Sequence, residues 1–215
     1  MIRVTTAFFA LVFLALGCGM LDSKGENGID QYHSPQKDPP SDVKGDTAGL
    51  IPLEPGNSWT LISCNEGFDT LTQNITVIGD TIADGVFYHV LEEKFMNMAA
   101  QRYLMRTLEC GALSVIEVEI GGYTLDTAGW DGSSLTYKGG PYSITASRFE
   151  SVVTFAGIYE NCIGFFLDIE DLHDEQRRYV VKPGIGFVEC YCAWFAPYKL
   201  VSFSIGGVVY PVRSE

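Results

Sequence analysis

The chain has 215 residues, of which 27 are acidic and 14 basic, so its net charge at pH 7 is −13. Proteins bind nucleic acids and anionic lipid surfaces through clustered lysine and arginine, and the only adjacent basic pair here is Arg177-Arg178. We therefore expect no nucleic-acid partner.

An uncharged and largely apolar run follows Arg3 and extends to residue 20. It is shorter than the roughly 20 apolar residues that span a bilayer and lies at the extreme amino terminus, so it predicts a signal peptide rather than a permanent membrane helix. The run ends in Ala15-Leu16-Gly17-Cys18. This phrase resembles the lipobox of bacterial lipoproteins, in which a cysteine is acylated and becomes the first mature residue.

The lipobox resemblance implies a signal peptide at residues 1–17, a palmitate-type lipid anchor on Cys18 and attachment to the membrane of the cell envelope. Gly19 stands where an aspartate favours retention at the inner membrane of enteric-type bacteria. We therefore expect the outer membrane if the host has two membranes. An ordinary secretory signal, in which Cys18 has no role, is the alternative.

Residues 18–49 are rich in proline, glycine, serine and aspartate and contain few large apolar side chains. Such a segment cannot bury enough apolar surface to offset the entropy cost of ordering, which predicts a disordered tether. The remaining residues, 50–215, are enough for one sizeable core and too few for two comfortable domains. We expect them to form a single β-rich domain.

Beyond residue 56, apolar and polar residues alternate between turns rich in Gly, Asp and Asn, which is typical of strands. Only residues 91–108 offer a plausible short helix. The pattern predicts a mainly β fold, an antiparallel meander that forms a strongly curved sheet or a partly closed barrel, with a two-sheet sandwich as the alternative. The expected strands are 59–64, 72–78, 86–92, 101–108, 113–120, 142–146, 152–155, 162–169, 178–182, 187–192, 199–205 and 208–212.

Two turns flank predicted strands. Pro55-Gly56-Asn57 precedes the strand that begins at Trp59, and we expect the Trp59 side of that strand to face the core. Pro183-Gly184-Ile185-Gly186 should join residues 179–181 to residues 187–188. Paired glycines can also contact a phosphate, but no helix follows Gly186, so a structural turn is the better interpretation.

Three phrases of the chain together resemble a group of uncharacterised bacterial envelope lipoproteins. They are IPLEPGNSWTL at residues 51–61, FAGIYENC at 155–162 and KPGIGFV at 182–188. The resemblance implies one β-rich domain over this range and assigns no activity. Its residues form the candidate structural motif, which comprises Gly56, Asn57, Trp59, Gly157, Asn161, Cys162, Pro183, Gly184 and Gly186.

No arrangement of residues predicts catalysis, a cofactor or a metal. The loop around Trp130 lacks the order of a nucleophile elbow, and the three histidines are scattered. Cys190 and Cys192 share a strand face but lack the usual spacing of zinc ligands. The acidic residues 168–175 lack the spacing of a calcium loop, which favours a solvated turn.

The cysteines Cys64, Cys110, Cys162, Cys190 and Cys192 remain after Cys18, and an odd number leaves at least one thiol unpaired within the monomer. An exported location permits disulfides, but the sequence leaves their connectivity open.

The sequence favours a non-catalytic envelope lipoprotein that binds an apolar ligand or a partner protein. A structural or assembly lipoprotein without a ligand is the alternative, and a hydrolase of unidentified type is a third. A curved sheet filled by its own side chains leaves no pocket, whereas an apolar cavity of about 300 Å³ or more would favour a ligand.

Overall fold

The structure is a computed structural model, and it describes residues 49–63, 70–95, 98–108, 112–117, 121–125, 135–139, 142–169, 176–192 and 196–210. These residues form 13 strands. The strands are β1 (Ser58–Ser63), β2 (Leu71–Ala83), β3 (Val86–Phe95), β4 (Gln101–Thr107), β5 (Leu113–Glu117), β6 (Gly121–Leu125), β7 (Leu135–Gly139), β8 (Tyr142–Val153), β9 (Ile158–Ile169), β10 (Arg177–Lys182), β11 (Gly186–Cys192), β12 (Tyr198–Ile205) and β13 (Val208–Tyr210).

The strands belong to one antiparallel sheet, in the order β6-β5-β4-β3-β2-β1-β12-β11-β10-β9-β8-β7, and β13 pairs with β12. Every strand therefore pairs with its neighbour in the chain, except at one place. Among the described residues no ladder joins β6 to β7, although the two strands touch. The sheet is curled and unclosed, which confirms the predicted antiparallel meander with strong curvature.

The alternation of buried and partly exposed side chains along β1 shows which face of the sheet lies against the core. Trp59 and Leu61 are 1% and 0% exposed, whereas Ser58, Thr60 and Ile62 are partly exposed. This confirms that the Trp59 side of the strand faces the core. The inner face of the sheet is apolar along most strands, because buried positions recur at every second residue.

Several predicted elements were wrong in extent or type. The proposed helix over residues 91–108 is absent from its described part, where β3 and β4 form a hairpin. Tertiary pairing with neighbouring strands overrides the helix propensity of the glutamates in this segment. Residues 142–146 and 152–155 belong mostly to one long strand, β8, and β2 continues through Gly79 and Asp80 to Ala83.

Candidate functional site

Trp59 joins the opening and closing phrases of the sequence. Its Nε1 donates a 2.6 Å hydrogen bond to the carbonyl oxygen of Ile185, and its ring meets the Phe187 ring edge-on at 5.3 Å. A Cβ on Gly186 would lie 2.7 Å from the indole, and Gly186 has a φ of +97°. A glycine is therefore required here both for the backbone conformation and for the close approach of the tryptophan.

The Pro183-Gly184-Ile185 turn brings this glycine under the indole. The amide of Ile185 donates to the carbonyl oxygen of Lys182 at 2.9 Å, and Gly184 has a φ of +80°. The turn connects β10 to β11 as expected. The contacts described for this turn stabilise the fold.

Asn57 is a buried polar residue, 1% exposed, that fastens three segments together. Its Nδ2 donates to the carbonyl oxygen of Pro52 at 3.2 Å and to Glu54 Oε2 at 3.1 Å. Its Oδ1 accepts a 3.0 Å hydrogen bond from the amide of Gly206, in the turn between β12 and β13. Gly56, with a φ of +95°, completes the predicted turn before β1.

The central phrase occupies the tip of the β8–β9 hairpin and the beginning of β9. Gly157 accepts hydrogen bonds from the amide and the hydroxyl of Thr154, and Asn161 has a φ of +54°. The Sγ–H of Cys162, which is fully buried, donates to the carbonyl oxygen of Tyr159 at 3.3 Å. These residues stabilise the hairpin.

An apolar cavity of about 260 Å³ opens on the inner face, at the end of the sheet where β1 finishes and away from Trp59. Strands β2, β3 and β4 form one wall, and β10, β11 and β12 face them. The volume is slightly below the lower limit of about 300 Å³ typical of ligand pockets. The lining residues are Leu71, Gln73, Glu93, Phe95, Met98, Gln101, Tyr103, Arg177, Tyr179, Cys190, Tyr191 and Tyr198.

A buried polar cluster lies against this cavity. Glu93 is 4% exposed, and its two carboxylate oxygens accept hydrogen bonds from the Gln73 amide and the Tyr103 hydroxyl. The Tyr103 hydroxyl also lies 3.0 Å from Gln101 Oε1. The three principal residues come from the adjacent strands β2, β3 and β4, so pairing in the sheet positions the cluster.

Burial is the largest influence on the pKa values of two groups that line the cavity, the Tyr103 hydroxyl and the Cys190 thiol. Desolvation, together with nearby Tyr179 and Glu93, raises the pKa of the Tyr103 hydroxyl far above its ordinary value. Desolvation, followed by the charges of Glu93 and Glu189, raises the pKa of the Cys190 thiol well above 9.0. Both groups therefore remain protonated at neutral pH, and the surroundings are dry enough to strengthen polar interactions.

Arg177 and Arg178, the adjacent basic pair, point to opposite faces of β10. Arg177 lines the cavity, and Tyr179 follows it on the same face. Arg178 bonds Glu189, with 2.5 Å between Nη2 and Oε1, and its guanidinium lies 5.6 Å from the centre of the Tyr191 ring. The two arginines are therefore adjacent in sequence but have different surroundings.

Sequence reasoning did not single out the cavity. Gln73 occupies an alternating, inward-facing position next to Ile75, and Glu93 does so next to Leu91. The signal that could have indicated this site is a polar side chain at an inward-facing position of an otherwise apolar strand. It was missed because Glu93 was interpreted as part of a helix.

The remaining candidates have mixed outcomes. Cys18, Cys64, Cys110 and Trp130 lie outside the described residues, as do residues 170–175 of the acidic stretch and the side chain of Cys192. Cys190 is a buried free thiol. Within the described ranges, no group of three or more His, Cys, Asp or Glu side chains could hold a metal ion, and no helix has the length and apolarity to cross a membrane.

No protein-family model matches the chain, and no curated protein shows a significant match. One similar solved structure is that of a Bacteroides fragilis NCTC 9343 protein whose name describes it as exported and as having a YmcC-like fold. It is 16% identical, with a TM-score of 0.42, over 72% of this chain and 98% of that chain. A likeness this loose carries no argument about function or location.

Proposed function

We propose that this protein is an envelope-anchored lipoprotein, held by a lipid on Cys18 and a tether over residues 18–49, whose β domain binds an apolar ligand without catalysing a reaction. The lipobox phrase Ala15-Leu16-Gly17-Cys18 supports the anchor. The proposed ligand is supported by the apolar cavity between β2–β4 and β10–β12, whose volume of about 260 Å³ falls just below the limit of about 300 Å³ and suits a small ligand. The proposal rests on this cavity.

The two ends of the inner face differ in how they are filled. At the start of β1, Trp59 and Phe187 pack together and leave the Gly186 backbone in contact with the indole. At the end of β1 the inner face lines the cavity of about 260 Å³. A ligand bound in this space would stabilise the folded domain, because it would bind the native state and not the unfolded chain.

Aromatic side chains give the cavity a wall suited to an apolar body. The rings of Phe95 and Tyr198 meet edge-on, with centroids 5.7 Å apart, and Tyr103 and Tyr179 line the same space. Ligand pockets combine such apolar surfaces with a few polar groups that fix orientation. The hydrogen-bonded Gln73–Glu93–Tyr103 cluster is a fixed polar element beside this apolar surface.

The test is binding of a neutral apolar fluorophore, Nile red, to the purified domain, with lipid extraction and mass spectrometry of the same preparation. Leu71→Trp replaces an aliphatic side chain of the cavity wall by a larger indole and should weaken probe binding about tenfold or more. Ile82→Trp is the matched control, because Ile82 is 72% exposed and lies outside the cavity. It should leave binding unchanged.

Equal probe binding by the parent and Leu71→Trp would place the ligand elsewhere and contradict the proposal. Absence of both probe binding and extracted lipid would favour the alternative, a structural or assembly lipoprotein whose curved sheet needs no ligand. If a protein co-purifies with the domain and no lipid is extracted, binding of a partner protein would be favoured over binding of an apolar ligand.

A further inference from the structure

We propose that the ligand of this cavity is a monocarboxylate with an apolar body, whose carboxylate is bound by Arg177 while the body lies against the aromatic wall. The inference rests on the proposed function, because it assigns a ligand class to the same cavity.

Arg177 is the one cationic side chain among the twelve described residues that line the cavity. In a chain with a net charge of −13, a cation at this position is unexpected from composition alone. A guanidinium offers five N–H donors in a planar fork that matches both oxygens of a carboxylate. Arg177 can therefore bind a ligand carboxylate in addition to other partners.

The other charged group of the cavity, Glu93, is already engaged. One carboxylate oxygen accepts a hydrogen bond from Gln73 and the other from Tyr103, and the residue is 96% buried. Each oxygen can still accept a second hydrogen bond, but a ligand ammonium would have to lose nearly all of its water to reach this buried carboxylate, whereas Arg177 is only half-buried. The arrangement thus favours a ligand that is recognised by Arg177 rather than by Glu93.

The position of Arg177 on its strand fits an amphipathic ligand. Arg177 is the first residue of β10 and is half-buried. Tyr179 follows on the same face, opposite buried Cys190 on β11. A ligand lying along β10 would pass from the charged group at the beginning of the strand to apolar surface further along it. Low polarity next to the guanidinium would strengthen a charge-assisted hydrogen bond.

The experiment compares three competitors of equal chain length, decanoic acid, decan-1-ol and decylamine, in displacing Nile red from the purified domain at neutral pH. Decanoic acid should bind the parent protein about tenfold more tightly than decan-1-ol, since a charge-assisted pair exceeds a neutral hydrogen bond by about this factor. In Arg177→Met the acid should fall to the affinity of the alcohol, and the alcohol should bind as before.

Arg178→Met is the matched control, because it removes the neighbouring arginine from the Glu189 pair and leaves Arg177 in place. It should retain the preference for the acid. Arg177→Lys keeps the positive charge but loses the paired N–H donors of the guanidinium, so its preference for decanoic acid over decan-1-ol should be intermediate. Unchanged binding of the alcohol shows in each variant that the cavity is folded.

Equal affinity of acid and alcohol in the parent would overturn the assignment of a carboxylate while leaving the apolar cavity as a binding site. Tighter binding of decylamine would also overturn it and make Glu93 the group that selects the ligand. Failure of Nile red and of all three competitors to bind would refute the proposed function itself, and this inference with it.

Discussion

The indole nitrogen of Trp59 donates a buried hydrogen bond to the carbonyl oxygen of Ile185, a residue 126 positions away in the chain. The bond satisfies the one polar atom of a side chain that is 99% buried. It also fixes the β10–β11 turn against the beginning of β1. Two phrases that are distant in sequence therefore form one structural unit in the fold.

Replacement of Trp59 by alanine should lower the free energy of unfolding by about 3 to 5 kcal/mol, because it removes a fully buried ring and leaves the Ile185 carbonyl without its donor. Chemical denaturation measures the change. Phe87→Ala serves as the control, since Phe87 is 52% exposed and should cost less than about 1 kcal/mol. A similarly small loss at Trp59 would contradict its place in the core.

Gly186→Ala should destabilise the domain by two effects, an unfavourable φ of +97° and a clash 2.7 Å from the indole of Trp59. Gly207→Ala isolates the first effect, because Gly207 has a φ of +79° with open space around it. We expect Gly186→Ala to cost at least about 1 kcal/mol more than Gly207→Ala. In a Trp59→Leu background this excess should shrink, and an unchanged excess would rule out the clash.

Asn57→Ala should cost about 1 to 3 kcal/mol, because it leaves the carbonyl of Pro52 and the amide of Gly206 without their partner. Asn74→Ala is the matched control, since Asn74 is exposed and its side chain accepts a surface hydrogen bond from Thr60. Denaturation curves of the two variants should therefore separate clearly. Coincident curves would show that the Asn57 hydrogen bonds contribute little net stability.

Local sequence predicted much of the fold, because strand alternation and turn chemistry are local properties. The turn at Gly56 and the inward face of Trp59 are examples. Strands β6 and β7 were not predicted. Gly121 and Gly122 have low strand propensity, and β6 and β7 are strands because they pair with their chain neighbours β5 and β8. The cavity could not be predicted, because it depends on which side chains of β2–β4 face those of β10–β12 across a curled sheet.

Stability should fall above about pH 9 through Cys190. Burial raises the pKa of its thiol in the folded state, so above the ordinary value of 9.0 the unfolded chain releases a proton that the folded chain retains. For each pH unit between the pKa of this thiol in the unfolded chain and its pKa in the folded chain, the free energy of unfolding should fall by about 1.4 kcal/mol. Stability in urea at pH 8, 9 and 10 should decline less steeply in Cys190→Ala than in the parent. Identical slopes would exclude a raised pKa at this thiol.

Cys18→Ala should abolish incorporation of a labelled fatty acid, and the protein should accumulate as an unprocessed precursor or be released. The reason is that Cys18 is the residue that the lipobox resemblance assigns to acylation. Labelling in growing cells, followed by immunoprecipitation, measures the effect, and Cys162→Ala controls for a cysteine buried in the fold. Equal labelling of Cys18→Ala and the parent would contradict lipidation at this residue.

The pairing of β1 with β12 has a consequence for how the molecule is made. A chain synthesised from its amino terminus exposes β1 early, but Ser58 finds its ladder partner Ser204, and Trp59 its acceptor Ile185, only when the last strands are available. Contacts at such long sequence separation slow folding, because the entropy of closing the intervening chain must be lost first. The β1–β12 ladder at the centre of the finished sheet should consequently form later than the hairpins between neighbouring strands, and until then Trp59 lacks its acceptor and part of its cover against aggregation.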